Sequence, residues 1–361
     1  MSNYLSAKFT FFSFWLMVIV VLTHAQNVNF LECDDFLCNM QLFIAYKLSK
    51  IAVPLFFIIS GYLFFHKIKH NRGSSIAYFV KNLRKRFYSV VIPYAAWCTI
   101  GFLFLFIIQL LPVVSTYFPQ PLYLMTVREK VLNWLYYPVN YPLWFLRPLI
   151  TMFIISPLIY IFIKYLNNLF LFLAIIIALF INKLIWFGDL IFLTGQPFLY
   201  FTIGAYMSLN QYKMISGKRK VIAIFWVLLW LTLNLNSFFD EMYQFIPQEL
   251  IAASDIGKNL AGCVAVWYVY DYLNKSKQWK NYSFYKYSFF IFLFHGIPTL
   301  LLVKLSTAIF RQNSIALFLS FIIITISIVI TSILFAKILE TSMPALYKFL
   351  IGNRNSNYKQ S

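Results

Sequence analysis

The sequence predicts an all-α, polytopic membrane helix bundle with about ten transmembrane helices. Of the 361 residues, 61% are hydrophobic and only 11% are charged, proportions that exclude an ordinary soluble globular protein. The apolar runs are long enough to cross a hydrocarbon layer about 30 Å thick, and they recur between short polar breaks. Because the runs are continuous rather than alternating with polar residues, they predict helices that satisfy their own backbone groups.

The basic residues predict the orientation of the chain. A net charge of +19 could suggest nucleic acid, but the lysines and arginines lie in short loops between the predicted spans. With a cytoplasmic amino terminus, roughly two thirds of the 30 basic residues fall on the inner side. We therefore expect no nucleic-acid partner, both termini in the cytoplasm, and membrane lipids around the bundle.

The first apolar helix, KFTFFSFWLMVIVVLTHA, carries His24 near its far end. Counted from Lys8, His24 lies roughly 24 Å along the helix, close to the opposite edge of the hydrocarbon layer. Ionisable side chains inside spans are costly and commonly functional, which makes His24 a candidate site residue. Two other interpretations stay open: an interfacial histidine wetted by headgroups, and a signal peptide cleaved after Ala25.

The four cysteines predict no metal site. Cys98 and Cys263 fall inside apolar spans, where a small buried thiol is ordinary. Cys33 and Cys38 lie in the acidic loop LECDDFLCNM, which is predicted to face an oxidising space outside the membrane. A short disulfide between them would brace the loop beside His24.

Two segments are predicted to depart from a simple bundle. The outer segment 112–142 is longer than a connection needs, which predicts a lid or substrate platform with a short helix near 126–137. Span six carries Gly195, Pro197 and Gly204, which predict a broken or kinked helix that lines a cavity.

The predicted domains are a transmembrane domain over residues 1–340 and a cytoplasmic tail over residues 341–361. The sequence contains no internal repeat, no glycine-rich dinucleotide motif and no phosphate-binding loop motif. Gly61 and Gly204 lie in apolar spans and are predicted to permit a close approach of two helices.

Six stretches follow one another along the chain: VVLTH, IAVPLFFIISGYLFF, KNLRKRFYSVVIPYAAW, LWFLRPL, FLYFTIGAY and SFFIFLFHG. Together, from about residue 5 to about residue 340, they resemble the acyltransferase 3 family of multispanning bacterial enzymes that O-acylate surface carbohydrates. The resemblance implies ten or so helices and a cytoplasmic acyl-CoA donor, commonly acetyl-CoA. It also implies an acceptor at the outer face, a surface polysaccharide or a lipid-linked glycan.

The resemblance implies a chemical role for His24. Acyl transfer from a thioester to a sugar hydroxyl needs a base that takes the hydroxyl proton, and an imidazole of pKa about 6.5 suits that task. His24 is therefore the predicted general base. The family has an arginine or lysine eleven residues earlier on the same helix face, whereas this chain has Ser13, with Lys8 nearby.

Arg84, Lys85 and Arg86 are predicted to bind the phosphates of the CoA donor. A cation cluster at a cytoplasmic helix start can form charge-assisted hydrogen bonds with phosphate oxygens. Positive-inside topology and attraction to anionic lipids produce similar runs of charge, and this interpretation stays open. The resemblance implies a second arginine three residues after Arg86, where this chain has Ser89.

Arg147, Trp144 and His295 complete the predicted site. Arg147 lies near the outer end of a span and is predicted to contact the oxyanion or the acceptor; snorkelling to the interface is the alternative. Trp144 offers an apolar face for a sugar ring, although aromatic residues are ordinary at membrane interfaces. His295 resembles a late-helix histidine of the family, with a substrate-binding or a packing role.

Two other functions fit the same charges. A transporter or flippase for a glycan or lipid-linked sugar would line its path with intramembrane charges and carry out no covalent step. The departures at Ser13 and Ser89 suggest, as a third hypothesis, an inactive or sensory relative. Dependence on a thioester separates the enzyme from both. The sequence leaves open whether the chain forms a homo-oligomer.

Overall fold

The computed structural model describes residues 3–28, 35–66, 68, 75–115, 120–184, 195–212, 220–235, 247–276, 282–311 and 313–354. These residues form helices joined by turns, and no strand occurs among them, which confirms the predicted all-α class. The α-helices are α1 (Asn3–His24), α2 (Phe36–Phe43), α3 (Ala52–Phe65), α4 (Ser75–Arg86), α5 (Ile92–Ile108), α6 (Pro112–Ser115), α7 (Val127–Val131), α8 (Leu146–Ile154), α9 (Ser156–Leu166), α10 (Asn168–Leu184), α11 (Gly195–Leu209), α12 (Lys220–Leu235), α13 (Gln248–Ser276), α14 (Ser288–Phe294), α15 (Gly296–Phe310), α16 (Ser314–Ser342) and α17 (Pro344–Leu350).

Short segments of tighter or wider helix join several of these elements. The π-helical segments are Ile44–Leu48, Phe87–Val91 and Leu132–Tyr136. The 3₁₀ segments are Ser49–Ile51, Leu122–Leu124, Tyr141–Phe145 and Ser283–Tyr287.

Four of the described helical stretches are long and apolar enough to cross a membrane. They are Asn3–His24, Phe36–Phe65, Ile76–Ile108 and Ser314–Ser342. Two bent pairs also qualify if each counts as one span: Tyr141–Ile154 with Ser156–Leu166, bent by 57°, and Ser283–Phe294 with Gly296–Phe310, bent by 68°. The described residues thus provide up to 6 spans, and the count of about ten stays a prediction.

The breaks at Ile155 and His295 lie two and three residues before a proline. Pro157 and Pro298 cannot donate to the carbonyls of Phe153 and Phe294 four residues earlier, and their rings crowd those carbonyls. At the first bend the Ser156 hydroxyl donates to the Phe153 carbonyl at 2.6 Å. The bends are therefore built into the sequence of each span.

The chain divides into two compact units. Unit 1 comprises Met1–Ile19, Leu42–Asn82 and Thr151–Tyr285. Unit 2 comprises Val20–Gln41, Leu83–Ile150 and Lys286–Ser361.

In unit 1, α3 and α11 pack closely through two glycines. A side chain on Gly61 would collide with the backbone of Phe201, and one on Gly204 would collide with the backbone of Ile58. The predicted close approach at these glycines is confirmed, because each lets one backbone lie against the other.

The predicted break in span six is wrong for the part that the structure describes. α11 is helical without interruption from Gly195 to Leu209. Pro197 lies in the first turn, where a missing N–H costs little, and Gly204 serves packing rather than a kink.

In unit 2, the outer segment contains the predicted short helix. α7 begins with a capping box, in which the Thr126 hydroxyl accepts from the Glu129 N–H and the Glu129 carboxylate accepts from the Thr126 N–H. The π-helical segment Leu132–Tyr136 continues it. The helix near 126–137 is thus confirmed, whereas the role of the segment as a lid stays a prediction.

Candidate active site

The predicted site residues all belong to unit 2, and two of them form an imidazole pair. His24 is the last residue of α1, and His295 lies at the break between α14 and α15. Their ring centroids are 5.5 Å apart, with the ring planes at 39°. His295 is completely buried, whereas His24 is half-buried. The helix end and the helix break thus bring two imidazoles together that are far apart in the sequence.

The backbone determines the tautomer of His295. Its Nδ1 lies 3.0 Å from the Ile291 carbonyl oxygen and 2.9 Å from the Phe292 carbonyl oxygen. Because carbonyl oxygens only accept, we assign the proton of the neutral ring to Nδ1, which leaves Nε2 as an acceptor. This Nε2 atom is buried and has no hydrogen-bond partner among the residues that the structure describes. The ring therefore presents a lone pair that a hydroxyl group could meet.

Asn140 is a second buried acceptor beside the same break. Its Nδ2 donates to the Leu293 carbonyl at 2.9 Å, which orients the amide. Its Oδ1 has no partner within the described part of the chain, and the residue is only 2% exposed. Gly296 makes room for it, because a side chain there would collide with Asn140 Oδ1 and with Pro142. An unsatisfied buried acceptor is expensive, so such an atom commonly marks a place for a ligand or a water molecule.

The 3₁₀ segment Tyr141–Phe145 borders the imidazole pair. The exposed Tyr141 ring meets His24 edge-on, with centroids 5.8 Å apart. Trp144 is half-buried, and its ring contact among the described residues is with Phe145 at 6.4 Å. Phe145 in turn packs on Phe292 at 5.9 Å. Trp144 therefore lies on the same segment as Tyr141, which contacts His24, and its sugar-binding role stays a prediction.

Arg147 joins the start of α8 to the outer segment. Its Nη1 donates to the Tyr136 carbonyl, and its guanidinium lies 5.4 Å from the centre of the Tyr137 ring. These contacts hold the cation against the π-helical end of the outer segment. Its role at the oxyanion or the acceptor stays a prediction.

Arg84, Lys85 and Arg86 form the last turn of α4. They lie inside the continuous helical stretch Ile76–Ile108 rather than at a free helix end. Arg84 and Lys85 are exposed, and Arg86 is half-buried. The π-helical segment Phe87–Val91 follows at once and leads into α5. Their predicted contact with a donor is open to test.

Among the described residues, no group of three or more His, Cys, Asp or Glu side chains could hold a metal ion. Cys98 and Cys263 are free and buried, as the sequence predicts. Cys38 is disulfide-bonded, and its predicted partner Cys33 lies outside the described residues.

Most of the chain matches a known protein family. Residues 12–337 match a family model described as an acyltransferase domain. The chain belongs to the acyltransferase 3 family. Its match therefore covers most of the 361 residues, including every predicted site residue. The apolar helices and the family together make the chain a membrane protein.

One relative is similar to part of this acyltransferase 3 chain. The succinoglycan biosynthesis protein ExoH of Rhizobium meliloti (strain 1021) is 30% identical over 127 residues, which is 33% of this chain and 32% of that protein. The chain thus spans about one third of the length of this relative. No solved structure matches the chain at a significant level.

The two departures from the acyltransferase 3 pattern have different surroundings. At the first, the Ser13 hydroxyl donates to the Phe9 carbonyl at 2.8 Å, and a hydroxyl supplies no cation. Lys8 is instead completely buried in unit 1, where its Nζ binds Asp271 at 2.7 Å and lies 3.6 Å from the centre of the Trp267 ring. At the second, the Ser89 carbonyl accepts a hydrogen bond from Arg354, at 3.2 Å.

Three residues of interest were not singled out from the sequence: Asn140, Asp271 and Arg354. Asp271 could have been recognised, because it is an acid in the apolar run VAVWYVYDYL. Asn140 lies in a segment rich in proline and aromatic residues and Arg354 in a polar tail, so only their contacts distinguish them. Asp255, a further acid within a predicted span, has its Oδ2 3.5 Å from Lys50 Nζ in unit 1.

Proposed function

We propose that this chain is an integral membrane O-acyltransferase of the bacterial inner membrane. It moves an acyl group, acetyl in the simplest case, from cytoplasmic acyl-CoA to a hydroxyl of a surface polysaccharide or lipid-linked glycan. The observation that carries the proposal is the pair of imidazoles at His24 and His295 within a chain of the acyltransferase 3 family. The name of the succinoglycan biosynthesis relative supports a polysaccharide acceptor.

The proposed reaction has one proton transfer to the protein. As the acceptor hydroxyl oxygen attacks the thioester carbon, His24 takes the hydroxyl proton. A C–O bond forms, the C–S bond breaks, and the CoA thiolate leaves with the electron pair. The proton then passes from His24 to that thiolate or to water, which restores the neutral imidazole.

The buried acceptors beside His24 suit the alignment of a polyhydroxyl substrate. His295 Nε2 and Asn140 Oδ1 each need a donor, and sugar hydroxyls provide donors. Filling both would convert two unsatisfied buried atoms into hydrogen bonds and would orient the reacting hydroxyl. A substrate without a hydroxyl for either atom would leave that atom unsatisfied, which gives the pair a part in specificity.

The remaining predicted residues are assigned by the same proposal. Arg147 stabilises the developing oxyanion or holds the acceptor, and Trp144 stacks on a sugar ring. Arg84, Lys85 and Arg86 bind the phosphates of acetyl-CoA. Both termini are cytoplasmic in this arrangement, which puts the basic cluster on the donor side.

A transporter or flippase for the same glycan is the second candidate. The broken helices at Ile155 and His295 favour it, because transporters commonly build substrate sites from interrupted spans. Such a protein would move its substrate without consuming a thioester.

Transfer of labelled acetyl from acetyl-CoA to surface glycan tests the proposal. We would compare membranes carrying the wild type, His24→Ala, or the matched control His66→Ala at equal expression. We expect the wild type and His66→Ala to label glycan and His24→Ala to lose about 10²-fold or more of the rate. Labelling by His24→Ala at the wild-type rate would exclude His24 as the base, and no labelling by the wild type would favour transport.

A further inference from the structure

A further guanidinium, from the far end of the chain, lies within electrostatic reach of Arg86 in the basic cluster. Arg354 follows α17, and its Nε donates to the Ser89 carbonyl at 3.2 Å. Its Cζ lies 3.5 Å from the centre of the Phe289 ring, a close cation–π contact. Arg354 therefore binds the backbone of Ser89, three residues after Arg86, although it comes from the opposite end of the chain.

The backbone around Arg354 is held in place by specific contacts. Trp97 Nε1 donates to the Leu350 carbonyl at 3.1 Å, which ties the end of α17 to α5. Gly352 has φ of 70°, and a side chain on it would meet the Ser89 Cα atom at 2.6 Å. Only glycine fits both the positive φ and this close approach. The segment that carries Arg354 therefore packs against the helix that contains Ser89 and Trp97.

A proline leaves the Ser89 carbonyl oxygen available to accept from Arg354. In a regular α-helix the Ser89 carbonyl would accept from the N–H of the residue four positions later, which here is Pro93. Pro93 has no N–H, and the π-helical segment Phe87–Val91 widens the helix at this point. Such π-helical insertions are frequent at functional sites.

The two guanidinium groups influence one another. Desolvation and, second, the positive charge of Arg86 lower the pKa of Arg354 to about 9, so that Arg354 stays charged at neutral pH. Two like charges held close together are unfavourable unless an anion compensates them. No carboxylate of the described residues contributes to the shift at Arg354.

Ser89 adds an unsatisfied hydroxyl at the same place. The residue is only 7% exposed, and its Oγ has no hydrogen-bond partner in the described part of the chain. A buried hydroxyl between two guanidinium-bearing segments is a donor without an acceptor. A phosphate ester would give the Ser89 hydroxyl an acceptor oxygen and the Arg354 guanidinium a negative charge to bind.

We propose that Arg86, Arg354 and the Ser89 hydroxyl form a binding site for a phosphate ester. This assignment rests on the proposed function: the ester is a phosphate of the CoA donor. Where the acyltransferase 3 pattern has an arginine, this chain has Ser89, and Arg354 from the C-terminal tail supplies a cation in its place. An anionic lipid headgroup offers the same chemistry and is the alternative source of the phosphate.

Binding to the purified full chain, without turnover, tests this site. The chain is placed in zwitterionic lipid nanodiscs, and CoA is the probe. We expect Arg354→Gln to raise the Kd for CoA about tenfold or more, and Arg354→Lys to raise it less, because lysine keeps the charge but not the planar fork. The control Lys348→Gln removes one exposed positive charge from α17 and should leave the Kd within about twofold.

A second variant distinguishes loss of the binding site from loss of folding. Ser89→Ala removes the hydroxyl and leaves the carbonyl contact with Arg354, so it should raise the Kd for CoA about threefold to tenfold with an unchanged ligand-free unfolding midpoint. Equal CoA binding by wild type, Arg354→Gln and Ser89→Ala overturns the assignment to the donor, and an equal loss in Lys348→Gln overturns it as well.

A lipid arm separates this proposal from the proposed function. If the wild type does not bind CoA, the donor assignment of the proposed function fails. The phosphate site still stands if phosphatidylglycerol raises the unfolding midpoint of the wild type and of Lys348→Gln but not of Arg354→Gln or Ser89→Ala. The site is refuted if neither CoA nor phosphatidylglycerol distinguishes those variants from the wild type.

Discussion

The Asn140 amide group donates to the Leu293 carbonyl at 2.9 Å, two residues before the break at His295. A helix break releases backbone carbonyls that a buried environment must satisfy, and this side chain satisfies one of them. The same amide keeps its Oδ1 free of partners among the described residues. One residue thus stabilises the break and presents an acceptor beside the imidazole pair.

His295→Asn should abolish most activity while keeping the fold. An asparagine amide can still donate to the Ile291 and Phe292 carbonyls, but the acceptor at Nε2 is lost. We expect kcat/KM for acetyl transfer to fall about 10²-fold with a similar unfolding midpoint. The control is His66→Asn, another histidine exchange. Activity near the wild-type level in His295→Asn would show that His295 only packs.

Glycine substitutions should separate packing from helix propensity. Gly204→Ala brings a methyl group against the Ile58 backbone, which cannot move aside, so we expect a loss of about 1–3 kcal/mol. Gly257→Ala lies in α13 with nothing within 4 Å, so it should stabilise the chain by about 0.5–1 kcal/mol. Unfolding in detergent measures both. A similar effect from the two exchanges would contradict the packing of α3 on α11.

The buried ion pair of Lys8 and Asp271 should behave unlike an exposed one. Lys8→Met leaves the Asp271 carboxylate buried without its cation, which should cost about 3–5 kcal/mol. The double variant Lys8→Met with Asp271→Leu should recover most of that loss. Lys50→Met is the control, because its pair with Asp255 is partly exposed and should contribute about 0–1 kcal/mol. A double variant as unstable as Lys8→Met would argue against this pairing.

The outer helix α7 should loosen in acid. Hydrogen bonds from the Thr126 N–H and then the Thr126 hydroxyl lower the pKa of Glu129 in the folded chain. The ionised carboxylate therefore stabilises the capping box above the unfolded pKa of Glu129, and this stabilisation is lost as pH falls through the lower, folded pKa. After correction for the intrinsic rate, hydrogen exchange of residues 122–137 in the wild type should become faster as pH falls from about 5 to about 3.

Glu129→Gln is the reference for that measurement. A neutral amide cannot titrate, so exchange in this variant should show no extra opening over the same pH interval once the intrinsic rate is corrected. Parallel acid behaviour of the wild type and Glu129→Gln would show that another group controls the helix.

Much of the site could be predicted because its residues have unusual chemistry for their surroundings. His24, Arg147 and His295 are ionisable groups in apolar runs, and the cost of such groups makes them conspicuous without any structure. Asn140 and Arg354 could not be found in this way, since single polar residues outside the long apolar runs are ordinary. Their importance depends on the atoms that they meet across the fold.

The bends show the same division between local and long-range causes. Pro157 and Pro298 interrupt their helices through a missing N–H, which is a property of the local sequence. Gly195, Pro197 and Gly204 predicted a further break by similar reasoning, and over the described residues 195–209 the prediction was wrong. In α11 the proline lies in the first turn, and Gly204 makes room for α3.

The sequence by itself determined the all-α class, the membrane location, the family and the main ionisable candidates, because hydrophobicity, length and charge act within a single segment. Only the tertiary structure decided that His24 meets His295, that Lys8 pairs with Asp271, and that Arg354 binds the Ser89 carbonyl. Each of these contacts joins residues hundreds of positions apart. Their pairing depends on how the helices pack, and periodicity within one helix does not encode that.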